Sequence, residues 1–87
     1  MHERALILNL LRQVDEIARA QGARKVTRIE VWLGALSHMS PGHFREHFDF
    51  DATGSIAEGA ILDCTASEDV ADPNATAVLL ESVEVET

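Results

Sequence analysis

The sequence predicts an α+β domain in two layers, two helices packed on a three-stranded sheet in the order helix, strand, helix, strand, strand. Three observations carry this. Apolar residues recur at helical spacing over residues 3–21 and again around Phe44 and Phe48. They alternate, as strands do, over 25–33, 59–66 and 77–86. Neither a small sheet nor an amphipathic helix can bury its apolar side alone, so the two layers need each other. Eighty-seven residues make one domain, 1–87, with a single thin core.

The elements follow in order. In residues 3–21, Leu6, Ile7, Leu10, Leu11, Val14, Ile17 and Ala18 form the apolar stripe, with Arg4, Arg12, Asp15, Glu16 and Arg19 opposite. Gly22 suits the position just past the last turn, where a positive φ is common. In the strand Lys25–Leu33, Thr27, Ile29, Val31 and Leu33 share one side, and Val26, Arg28, Glu30 and Trp32 the other. Trp32 reads as a ring packed over neighbouring strands, with a partner-facing patch as the alternative. Ser40-Pro41 is a helix start, a capping hydroxyl followed by proline at the first helical position. That helix runs to about Ala52, anchored by Phe44 and Phe48 and stopped by Thr53-Gly54. The second strand, Gly59 to Ala66, places Leu62, Cys64 and Ala66 on one face, so Cys64 reads as a small buried hydrophobe. The third, Ala77 to Glu86, alternates in two phases, Val78 and Leu80 then Val83 and Val85, which suggests a bulge near Glu81-Ser82 or a change of exposed face. The last two strands are expected to form a hairpin and the helices to share one face.

Fifteen acidic against seven basic side chains give a net charge of −8. That argues against a nucleic-acid partner, because phosphate neutralisation supplies most such affinity. No apolar run approaches the roughly 20 residues a membrane span needs, and no secretion signal is read. A cytoplasmic protein is expected. Cys64 is the single cysteine, so neither an internal disulfide nor a CxxC pair is available. No catalytic constellation or Gly-rich phosphate loop is recognisable, and the chain does not read as an enzyme. The acids of 67–76 lack the spacing of an EF-hand loop and read as a solvated turn.

Metal chemistry is concentrated in two places. The first is Met1-His2-Glu3. An N-terminal amine has a pKa of roughly 8 and becomes a ligand once deprotonated. His2 adds an imidazole one residue on, and the amide between them can lose its proton to a strongly polarising ion. The three nitrogens then form two fused chelate rings in one plane. Glu3 or an outside donor fills the fourth position. A tetragonal set of N and O donors suits Ni(II) or Cu(II) rather than tetrahedral zinc. Met1 is expected to survive, because its removal needs a small second residue. The plain alternative is two polar residues on a frayed terminus, with Glu3 complementing the helix dipole. That dipole opposes a bound cation. The second place is His43 and His47, four apart on the second helix, where both imidazoles can reach one ion. His-Phe-Arg-Glu-His is not the His-Glu-x-x-His of zinc peptidases. Two boundary histidines beside the core stripe are the alternative.

Several pieces together resemble the HypA/HybF family of nickel metallochaperones. These are Met1-His2-Glu3, the helix ending in Gly22-Ala23, and the strand Val26-Thr27-Arg28-Ile29 through Leu33-Gly34-Ala35-Leu36-Ser37. Pro41, Gly54-Ser55-Ile56-Ala57-Glu58-Gly59-Ala60 and the closing Val83-Glu84-Val85-Glu86 complete the pattern. The resemblance covers about 1–66 and 77–86. It implies a non-catalytic carrier of Ni(II), held by Met1, His2 and Glu3, serving [NiFe]-hydrogenase maturation. A maturation GTPase and the hydrogenase large subunit would be its partners. The rival reading is a protein-interaction adaptor that keeps the fold without moving metal. The chain departs from the family at 67–76, where relatives carry a zinc-binding insertion with two CxxC pairs, so no zinc is expected. His43, Glu46, His47 and Asp51 also stand where the family tends to be apolar or small.

Overall fold

The computed structural model describes the backbone from His2 to Thr87 and the side chains from Arg4 onward. Five elements follow one another: α1 (His2–Ala20), β1 (Lys25–Leu33), α2 (Pro41–Ala52), β2 (Ile61–Ala66) and β3 (Val78–Glu86). The predicted two-layer α+β arrangement and element order are those observed.

In α1, Ile7, Leu10, Val14 and Ala18 are buried. Their spacing of three and four keeps them on one stripe of a 3.6-residue helix. Arg12 with Glu16 and Asp15 with Arg19 make pairs four apart among the exposed and half-exposed positions. The helix closes with Ala23 N–H donating to the Ala18 carbonyl, while Gly22 takes φ +66°. This left-handed closure satisfies a carbonyl that the helix leaves unpaired. At the start of α2 the Ser40 hydroxyl accepts from the His43 amide at 3.3 Å, with Pro41 following, as the sequence predicts. Phe44, Phe48 and Ala52 anchor α2.

The sheet order is β2-β1-β3, with β2 parallel and β3 antiparallel to β1. The expected hairpin between β2 and β3 is therefore absent. A parallel partner cannot be reached by a tight turn and needs a crossover, which α2 supplies. Residues 67–77 then carry the chain past β1 to its other edge. The helices divide the covered side between them, α1 over β3 and α2 over β2, and touch each other.

Two bulges set the faces of the sheet. The register shifts between Val26 and Arg28, leaving Thr27 as an extra residue whose hydroxyl donates to the Glu84 carbonyl at 3.1 Å. Val26 is consequently buried beside Ile29, Val31 and Leu33, not on the Trp32 side where strict alternation puts it. The second shift lies opposite Glu81, between the partners of Glu30 and Val31. It returns Val83 and Val85 to the side of Val78 and Leu80, all four packing on the core. Of the two expected causes of the phase change in β3, the bulge is the one observed. Each bulge inserts one residue and re-aims the side chains beyond it.

Candidate functional site

Of the first predicted metal site, Met1 lies outside the described residues, and so do the side chains of His2 and Glu3. His2 and Glu3 are the first two residues of α1 in the backbone. By helix geometry the first four amides of a helix have no intrahelical acceptor, so the His2 amide is not held in the helical ladder.

Arg4, the next residue, fixes where this end of α1 sits. Its guanidinium lies 3.5 Å from the Asp51 carboxylate in the last turn of α2. The Asp51 side chain is only 6% exposed and that of Arg4 68%, so the acid is enclosed and the base reaches it from solvent. The sequence named Asp51 only as a departure from a family pattern; its pairing with Arg4 was not read. Helical spacing puts Asp51 on one row with His43 and His47, but nothing local to the sequence signals its partner on α1.

The histidine pair is brought together. The two Nε2 atoms are 2.9 Å apart, and the rings meet edge to face with centroids 4.5 Å apart. His43 is exposed and His47 half-buried. The helix beneath them is held by Phe44 and Phe48, both fully buried. Among the described residues, no group of three or more His, Cys, Asp or Glu is arranged to hold one metal ion.

Cys64 on β2 is half-buried and packs against the core. Burial raises its thiol pKa above the ordinary value. The Arg45 guanidinium opposes that shift and the Asp63 carboxylate adds to it. Arg45 also donates to the Leu62 carbonyl at 2.6 Å, tying α2 to the edge strand.

The stretch 67–77 is a run of turns, exposed at most positions as expected, with Ala75 buried. The Asp69 carboxylate accepts from the Ala71 amide and that of Asp72 from the Asn74 amide. These acids act as turn formers in the Asx manner. The segment docks on the end of β1 through Ser67 N–H to Leu33 O, Gly34 N–H to Ala77 O and Leu36 N–H to Ala75 O.

On the side of the sheet away from the helices, Trp32 lies between Thr65 and Leu79, and Arg28 pairs with Asp63 and reaches Glu84 at 4.0 Å. Glu30 accepts from the Ser82 hydroxyl at 2.7 Å. Trp32 is half-buried, in keeping with a ring packed over neighbouring strands. No helix of the described residues is long and apolar enough to cross a membrane.

The family described as hydrogenase/urease nickel incorporation, metallochaperone, HypA matches residues 1–76. The hydrogenase maturation factor HypA of Chlorobium limicola is 41% identical over 63 residues, covering 72% of this chain and 54% of that one. Its counterpart in Methylocella silvestris is 43% identical over 63 residues, covering 72% and 56%. The chain thus spans about half the length of these curated relatives. Among solved structures, the nickel metallochaperone HypA of Helicobacter pylori superposes with a TM-score of 0.77 at 19% identity, covering 97% of both chains. At that identity the likeness speaks for the fold. With a family match over residues 1–76 and a fold shared along nearly its whole length, this chain belongs to the HypA family.

Proposed function

We propose that this chain is a nickel-binding module that carries Ni(II) as cargo toward [NiFe]-hydrogenase during its maturation. The family match over residues 1–76, which takes in Met1-His2-Glu3, is the observation that carries this reading. Nickel is held by the Met1 amine, the His2 amide nitrogen and the His2 imidazole, with Glu3 or an incoming donor in the fourth position. The chemistry of this donor set fits the ion, because three nitrogens in fused rings enforce a plane that Ni(II) accepts. The position at the head of α1 fits it too, since the His2 amide has no intrahelical acceptor to lose.

Its role is non-catalytic. The terminal chelate leaves one side of the ion open, so a recipient ligand can enter before the old ligands leave. The maturation GTPase and the hydrogenase large subunit are the proposed partners, in the cytoplasm. Residues 1–87 act as one nickel-binding domain, in which 67–76 stands in place of the family's zinc-binding insertion. With Cys64 as the only cysteine, no zinc site built from paired cysteines is expected.

The test is a Ni(II) titration by calorimetry on tag-free protein with an authentic Met1, beside His2→Ala. One tight site with the yellow absorption of planar nickel, lost or weakened at least a hundredfold in His2→Ala, supports the reading. Identical binding by the two proteins overturns the terminal site. Absence of binding in both overturns nickel carriage and leaves a docking role for the fold.

A further inference from the structure

We propose that His43 and His47 form a second metal site, a two-imidazole clamp for a borderline divalent cation such as Ni(II) or Cu(II). The proposal stands on the juxtaposition of the two rings, with Nε2 atoms 2.9 Å apart. Imidazole nitrogens bind such ions at about 2.0–2.1 Å. Two donors at that distance and at right angles about one ion are separated by about 2.9 Å, whereas a tetrahedral pair is separated by about 3.4 Å. The observed separation matches adjacent corners of a square or an octahedron. Without an ion it is also the length of an N–H···N hydrogen bond between the two rings, which an ion would replace.

Three further features suit a clamp. The histidines are one turn apart on one helical face, the spacing by which two imidazoles on a helix grip a single ion. The turn that carries them is pinned by Phe44 and Phe48, so the separation rests on fixed backbone. His43 is exposed, so an ion reaches the pair from solvent without any opening of the core. Among the described residues no third His, Cys, Asp or Glu joins the pair, so the proposal is confined to the two imidazoles.

The next position on the same row is Asp51, which holds Arg4 at 3.5 Å. Arg4 directly follows the terminal tripeptide in the chain, and α1 and α2 pack against each other. The clamp does not depend on the terminal site. If both bind, the chain has two metal positions of different chemistry, one a terminal chelate and one a pair of imidazoles.

The test separates the two sites. Ni(II) is titrated into the full chain bearing His2→Ala, and into the same chain carrying His43→Gln and His47→Gln as well. The clamp predicts that His2→Ala retains about one equivalent of nickel, and that the triple variant weakens this binding at least tenfold with an unchanged far-ultraviolet circular dichroism spectrum. Equal binding by the two variants overturns the clamp, as does a His2→Ala chain that binds no nickel at all. Failure of the terminal site reads differently, as wild type and His2→Ala binding alike. As a second readout, Cu(II) at one tenth of an equivalent broadens the ring proton signals of His43 and His47 in the His2→Ala chain. Sharp signals there overturn the proposal.

Discussion

Arg4 in the first turns of α1 reaches Asp51 in the last turn of α2, 3.5 Å from guanidinium to carboxylate. This contact joins the beginning of the first helix to the end of the second, across 46 intervening residues. The pair is asymmetric, the acid enclosed and the base largely in water.

That asymmetry predicts unequal losses. Removing Asp51 leaves an arginine that water solvates readily, whereas removing Arg4 leaves an enclosed carboxylate without its cation. Arg4→Ala should therefore destabilise by about 1–3 kcal/mol, and Asp51→Asn by about 1 kcal/mol or less. Urea denaturation of the two variants checks this order. Equal losses would mean that the carboxylate does not need the guanidinium.

Gly34 predicts a sharper effect. A Cβ at this position would lie 2.2 Å from the Ala75 carbonyl oxygen and 2.6 Å from that of Asn74. Both obstacles are backbone, so no side chain can turn aside. Gly34→Ala should push 67–77 off the end of β1 and cost roughly 1–3 kcal/mol or more, as overpacking does. Amide hydrogen exchange should rise at Leu36 and Ala77, whose amides bond in this region. A Gly34→Ala protein as stable as wild type would show that this docking contributes little.

How far these features were legible in the sequence differs by kind. The helices were readable because Ile7, Leu10, Val14 and Ala18, like Phe44 and Phe48, announce themselves at local spacing. The second bulge was readable because Val78, Leu80, Val83 and Val85 change phase within one strand. The bulge at Thr27 was not, since Val26 and Thr27 both tolerate a strand and neither carries a local sign of the shift. Strand pairing was misread because β2 and β3 are neighbours in sequence, while the decision rests on α2 making β2 parallel to β1. In the candidate site, the four-residue spacing gave the His43 and His47 pair. Arg4 and Asp51 were not joined, because helix-to-helix contacts follow from tertiary packing.

Cys64 predicts a pH effect on stability. Burial raises its thiol pKa above the ordinary 9.0, so the folded chain holds its proton where the unfolded chain releases it. Below pH 9 this has no effect on stability, and the contribution is lost as pH rises through 9.0 and beyond. The fall in unfolding free energy between pH 8 and pH 10 should be smaller in Cys64→Ala than in wild type. An equal fall in both proteins would contradict the shift. In native protein at pH 8, a thiol-specific reagent should also react more slowly with Cys64 than after denaturation, because the thiolate is the reactive form.

Phe44 and Phe48 fix the helix that carries the histidine pair. Phe48→Ala should cost about 3–5 kcal/mol, enough to unfold much of a domain this small at room temperature. Phe48→Leu should be milder and keep the fold. If His43 and His47 owe their geometry to this anchor, Phe48→Leu should weaken nickel binding in the His2→Ala chain while leaving the helix content intact. Unchanged affinity would mean that the pair is set by α2 alone.

The central claim, carriage of nickel for delivery, is tested most directly by following the ion. Tag-free protein loaded with one equivalent of Ni(II) is mixed with the nickel-free precursor of a hydrogenase large subunit and its maturation GTPase. The proteins are then separated, and nickel in the precursor is measured by atomic absorption. Transfer from wild type that exceeds transfer from the same concentration of free Ni(II) in the presence of a chelator, and is lost with His2→Ala, is the predicted result. Nickel that stays with the carrier, or that reaches the precursor equally well from His2→Ala, would contradict it.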